Sequence, residues 1–189
     1  MENKYTQKQL EILETSIKYM SDNGVQAFSL RNIAQEIGIK QPTLYGHFKS
    51  KEEILRGIFD LYKSGVETYH KILMNTKATK ITKIRIYFKK MCEFIQYKPN
   101  YMNLVMLEFY QYRSLFKEDL NFLLNNMKNV IENTENDENF RDDVDYEWLV
   151  TSIEGILHIY LKNKLTSENF DVLANADLYW DYLESLIKK

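Results

Sequence analysis

QPTLYGHFKSK, residues 41–51, decides the reading of this chain. Pro42 suits the first turn of a helix, where a missing N–H costs nothing. Ser50 and Glu53 form a capping box that opens a new helix. Between them lie about two turns, too short for a core helix and rich in hydrogen-bonding side chains. Just upstream, Ser29 can cap a helix whose inner face is Leu30, Ile33, Ala34 and Ile37. Gly38 ends that helix, because glycine turns the backbone without a Cβ penalty. A longer first helix carries Leu10, Leu13, Ile17 and Met20 on one face, with Gly24 as its C-terminal cap. Two short helices joined at Ile37-Gly38-Ile39, after a longer one, make a helix-turn-helix unit.

In that unit Ile33, Ala34, Ile37, Leu44 and Phe48 face inward. Gln41, Thr43, Tyr45, Gly46 and His47 are left to face outward. A helix of this kind fits the DNA major groove with its N-terminal residues aimed at base edges. About a turn and a half reaches the bases, so a short helix suffices.

The rest of the chain is helical as well. Six glycines and two prolines among 189 residues are too few for a β-sheet protein. Helical spacing continues from Ile54 toward Tyr69, and again through Ile84, Phe88, Met91 and Ile95. Pro99 breaks that pattern. Residues 102–112, 115–131, 148–161 and 173–187 read as four further helices. The expected fold is all-α: a three-helix DNA-binding unit, residues 1–52, and a helical bundle, residues 53–189. The physical break is expected inside the long fourth helix, near Ser64-Gly65.

Bulk properties narrow the function. The formal net charge is only -2, so charge alone does not announce nucleic acid. Its distribution is more telling. Residues 1–51 carry seven basic and five acidic side chains, whereas residues 132–147 carry one basic and eight acidic. A mildly basic front and an acidic back orient a molecule near a polyanion. One cysteine excludes an internal disulfide framework and fits a reducing compartment. No apolar run is long enough for a bilayer, and the polar N-terminus has no signal segment. The expected location is the cytoplasm, without a membrane partner.

From Phe28-Ser29-Leu30-Arg31-Asn32-Ile33-Ala34 through Leu44-Tyr45-Gly46-His47-Phe48-Lys49-Ser50-Lys51-Glu52-Glu53, the sequence resembles the TetR family of bacterial transcription repressors. The resemblance covers the first quarter of the chain. It implies a homodimer on a double-stranded DNA operator, released by a small-molecule effector, with no cofactor and no catalysis. Ser29, Arg31, Gln41 and Thr43 would contact bases or phosphates. Tyr45 and His47 would contact the DNA backbone, and Lys51 would hold phosphate at the start of the fourth helix. Gly46 stands where the family's namesake has a large aromatic residue, so the operator sequence does not carry over. Lys40 replaces an acidic residue and strengthens nonspecific attraction to DNA.

By the same resemblance the last two helices dimerise. Ser152, Gly155, Ile156 and Ile159 would form one stripe, and Leu178, Tyr179, Tyr182, Leu183 and Leu186 the other. The middle helices are rich in aromatic residues and methionine. Phe88, Met91, Tyr101, Met102, Val105, Phe109 and Tyr110 are the candidate effector-cavity residues, a composition suited to an adaptable apolar site. Glu108, among them, is expected to face solvent.

Two other classes are weighed. The run Asp142-Asp143-Val144-Asp145-Tyr146-Glu147 raises an enzyme or metal site. It lacks the EF-hand glycine and ligand spacing, and no phosphate loop, HExxH or CxxC accompanies it. A helical protein-interaction module would use the helix-turn-helix only as scaffold.

Overall fold

A computed structural model describes residues 4–106, 122–134 and 137–189. Among them are nine α-helices: α1 (Gln7–Asn23), α2 (Leu30–Ile37), α3 (Gln41–His47), α4 (Lys51–Met74), α5 (Lys80–Tyr97), α6 (Pro99–Met106), α7 (Phe122–Glu132), α8 (Tyr146–Thr166) and α9 (Val172–Ile187). Among the described residues, strand-like pairing is confined to an isolated bridge between Phe140 and Lys188. Pro99 opens α6 instead of only ending α5, the placement that a missing N–H tolerates best. Phe109, Tyr110 and Glu108 lie outside the described residues, as does much of the helical reading over 107–121.

The chain divides into two compact units. One contains residues 4–64 and 103–106, the other 65–102, 122–134 and 137–189. The dividing point falls inside α4, between Ser64 and Gly65.

In the first unit, local signals place each helix. Thr6 and Gln9 form a reciprocal capping box for α1. Gly24, at φ 80°, and Gly38, at φ 77°, end α1 and α2 in a region that favours glycine. Ile12, Leu13, Ile33, Leu44, Ile54 and Ile58 are each fully buried. Each stabilises the unit by about 1.5–3 kcal/mol relative to exposure. Gly57 permits the close approach of α4 to α1, since a Cβ there would sit 2.8 Å from a methyl of Leu13. Leu13 is itself fully buried and has little room to yield. Gly57→Ala is therefore expected to destabilise the protein by about 1–3 kcal/mol through overpacking, read as a lower urea midpoint. Gly46→Ala is the control. No atom lies within 4 Å of its Cβ position, so it should gain up to about 1 kcal/mol of helix propensity.

The second unit is built on α5, which packs against α7, α8 and α9. Its inner face is Ile84, Tyr87, Phe88, Met91, Cys92 and Ile95. Phe88 stacks between Tyr179, 5.5 Å away, and Trp180, 6.3 Å away. Trp180 is fully buried, and its Nε1–H donates to Glu184 at 2.7 Å. The side-chain oxygen of Gln96 accepts from the Val172 N–H, tying α5 to the start of α9. Burial, with the Asp177 charge second, pushes the Cys92 thiol up to about 12.

The acidic run has structural work. Asp137 accepts from the Ile81 N–H at the start of α5. Asp145 caps α8 through the Trp148 N–H. Asp143 pairs with Arg141 at 2.6 Å, and Asp142 pairs with Lys189. Among the described residues no group of three or more His, Cys, Asp or Glu side chains is placed to hold a metal. No described helix is long and apolar enough to cross a membrane.

Candidate nucleic-acid interface

Helix α2 starts where the Ser29 hydroxyl accepts the Asn32 N–H. The Asn32 amide then donates to the Tyr19 hydroxyl and to the Ala27 carbonyl, pinning α2 to α1. The turn to α3 closes with the Gly38 N–H on the Gln35 carbonyl and the Ile39 N–H on the Ala34 carbonyl. Such bonds satisfy the carbonyls a helix end leaves open. Ser29 is half-buried and Arg31 exposed at one end of this assembly.

Helix α3 has one buried residue, Leu44. Phe48, which ends it, is 3% exposed and lies against the Tyr5 ring. These two side chains hold the helix down. Lys40, Gln41, Thr43, Tyr45 and Gly46 are all exposed, Tyr45 at 43%. His47 is half-buried, and its carbonyl accepts from the Gln9 amide. Lys49 is also exposed, and its ammonium donates to the Tyr45 carbonyl at 3.0 Å. It adds a cation beside Tyr45 that the sequence reading did not select; a basic residue one turn after an exposed tyrosine was the available signal.

Lys51 has partners within the unit: its ammonium donates to the Val25 carbonyl at 2.8 Å and sits 5.5 Å from the centre of the Phe28 ring. It straps α4 to the turn before α2. The start of α4 is likewise bonded by its own side chains. Glu53 accepts the Lys49 N–H at 2.6 Å while the Ser50 hydroxyl accepts the Glu53 N–H. The Glu52 carboxyl is held below its ordinary range, by its own backbone amide first and then by the Ser50 hydroxyl. Carboxylates already occupy this positive helix end, and a phosphate would meet them.

The helix-turn-helix thus exposes an amide, hydroxyls and the cations Arg31, Lys40 and Lys49, with Leu44 and Phe48 buried beneath α3. That pattern serves groove readout and phosphate contact together. Residues 12–58 match the model of the bacterial regulatory proteins of the tetR family. That match, over a quarter of the chain, likens the helix-turn-helix unit to those of the tetR family. Among relatives, the class C tetracycline repressor of Escherichia coli is 34% identical over 44 residues, 23% of this chain and 20% of that protein. The nucleoid occlusion factor SlmA of Photobacterium profundum is 20% identical over 97% of both chains. The solved structure of FadR from Bacillus subtilis in complex with stearoyl-CoA has a TM-score of 0.71. It is 19% identical, covering 93% of this chain and 97% of that one. At that identity the likeness is one of fold.

The other candidate residues lie in this chain as follows. On α8, Gly155 and Ile159 are exposed, while Ser152 and Ile156 are half-buried. On α9, Tyr182 and the neighbouring Leu178 are exposed, at 65% and 73%. Tyr179 and Leu186 are half-buried. Leu183 is only 1% exposed; it faces the protomer's own core and is unavailable to a partner. Phe88, Met91 and Met102 are buried in the second unit, and Tyr101 is half-buried there. Val105 is buried in the first unit.

Proposed function

We propose that this protein is a homodimeric transcriptional repressor that binds a palindromic operator and leaves it when a small-molecule effector binds. The observation that carries the DNA-binding part is α3 itself, a seven-residue helix held by Leu44 with Gln41, Thr43 and Tyr45 turned outward. Support for the dimer comes from Ile159, Leu178 and Tyr182, large apolar side chains more than half exposed on the last two helices. A two-fold pair of such faces makes a self-complementary four-helix contact. Support for the effector comes from FadR, a protein of this fold, which was captured with stearoyl-CoA. Helix α4 contributes to both units. An effector that displaces its C-terminal part would alter the spacing of two recognition helices, which one DNA turn sets at about 34–36 Å. Release with that spacing unchanged would contradict this step.

Genome-wide crosslinking of the intact protein, followed by anisotropy on the recovered sequences, tests the reading. The expected result is sequence-specific, salt-sensitive binding that Tyr45→Ala weakens at least about tenfold, as a lost anchoring contact of about 1.4 kcal/mol implies. Transcription from an adjacent promoter should rise when the gene is removed. A second reading is favoured by the full-length likeness to SlmA, a nucleoid occlusion factor. Many scattered sites with no transcriptional change would select it.

A further inference from the structure

Within the second unit, the corner where α4 ends and α5 begins borders an open cavity of about 940 Å³. Its described wall comes from residues 74–79, 82 and 83 at the corner and 133, 134 and 137 beyond α7. A cavity of that size suits a ligand, but ligand sites are mostly apolar. Here only Met74 and Ala78 are apolar; the rest of the wall is threonine, asparagine, lysine and aspartate.

Lys83 is the unusual member of that wall, only 5% exposed. Its ammonium donates to the carbonyl of Met74, the last residue of α4, at 3.3 Å. That is its one hydrogen bond among the described residues, and an ammonium has three N–H to place. No carboxylate among the described residues pairs with it. Asp137 has turned its two oxygens to the backbone, accepting the Ile81 N–H at 3.2 Å and the Asn139 N–H at 3.1 Å. A buried charge ordinarily has a partner, and the cavity gives one room to enter. The hydroxyls add a second requirement. Thr76 gives its proton to the Ile72 carbonyl at 2.9 Å, and Thr134, itself buried, gives its proton to the Val130 carbonyl at 2.5 Å. Both oxygens have only lone pairs left to offer, so a ligand must bring its own donors. Lys77 and Lys83 against Asp137 leave the wall one positive charge.

We propose that this corner binds a small polyhydroxylated carboxylic acid, of the sugar-acid class, its carboxylate on the Lys83 ammonium and its hydroxyls donating to Thr76 and Thr134. One negative charge balances the wall, and a second would meet Asp137. A fatty chain finds little apolar surface there, and a neutral sugar leaves Lys83 without its counter-charge. Phe88, Met91, Tyr101 and Met102 take no part in the wall, so the site is additional to the effector reading above.

The test is calorimetry on the full-length protein without DNA, so its outcome is independent of the regulator reading. Three probes share a six-carbon chain: gluconate has the charge and the hydroxyls, sorbitol the hydroxyls alone, hexanoate the charge alone. Gluconate should bind at least about tenfold more tightly than either. Lys83→Met should abolish its preference over sorbitol. Thr76→Val should weaken gluconate about threefold to tenfold, the size of one lost hydrogen bond, and leave hexanoate unchanged. Thr76 is exposed, so that variant decides the matter even where Lys83→Met does not fold. No binding of gluconate, equal binding of gluconate and hexanoate or of gluconate and sorbitol, or gluconate binding indifferent to either substitution would overturn the proposal.

Discussion

Leu44→Ala will abolish specific operator binding while leaving the helical bundle of the second unit folded. A seven-residue helix is far below the length at which an isolated helix persists in water. Helix α3 therefore exists because it is fastened. Leu44 is its one buried residue and is fully buried. Removing such a side chain costs about 2–5 kcal/mol, a large part of the 5–15 kcal/mol that holds a typical domain. The loss falls on a single helix, the one that carries Gln41, Thr43 and Tyr45. Affinity for the operator should drop at least about a hundredfold, toward the level of random DNA. Tyr45→Ala should weaken binding without loosening α3. Anisotropy with both DNAs, beside a calorimetric scan, separates these outcomes. Retention of operator affinity in Leu44→Ala would show that α3 does not read the DNA.

The second large effect is expected from Leu178→Glu combined with Tyr182→Glu. Both side chains are mostly exposed in the protomer, at 73% and 65%, so charge there should disturb its stability by no more than about 0.5 kcal/mol. In a symmetric contact the same substitutions bring four carboxylates together in a desolvated patch. Sedimentation should show a protomer of half the parent mass. Binding of two half-sites would lose its linkage, and operator affinity would fall by about 10²–10⁴. A double variant that still sediments as a dimer would move the contact elsewhere. Leu183→Glu, one residue further along, should instead unfold the protein, because that side chain is 1% exposed.

The adjacent pair Tyr182 and Leu183 shows where sequence reading reaches its end. Helix α9 carries apolar residues on nearly every side, among them Leu178, Tyr179, Trp180, Leu183 and Ile187. Helical spacing then fits an inner stripe and an outer one equally well, and only packing assigns them. The first unit was legible because its signals are local. Ser29, Gly38, Pro42 and Ser50 act within a few residues of themselves, and a cap or a left-handed turn needs nothing distant. Lys51 is the counterexample. Its partner, the Val25 carbonyl, lies 26 positions away, beyond any spacing rule. Pro99 does end the pattern of α5, and it also begins α6, because proline closes one helix and opens the next by the same missing N–H. The acidic run looked like a candidate site because like charges in sequence read as a cluster, whereas the fold sends Asp137, Asp143 and Asp145 to three separate partners.

Cys92 gives this protein a built-in clock. The chain has one cysteine, fully buried on α5, with its thiol pushed up to about 12. In the closed state an alkylating reagent finds neither access nor thiolate. The pace of modification therefore counts how often the bundle opens. Any occupant that tightens the interior would slow that pace, and mass spectrometry of the unlabelled, unmutated chain would register it.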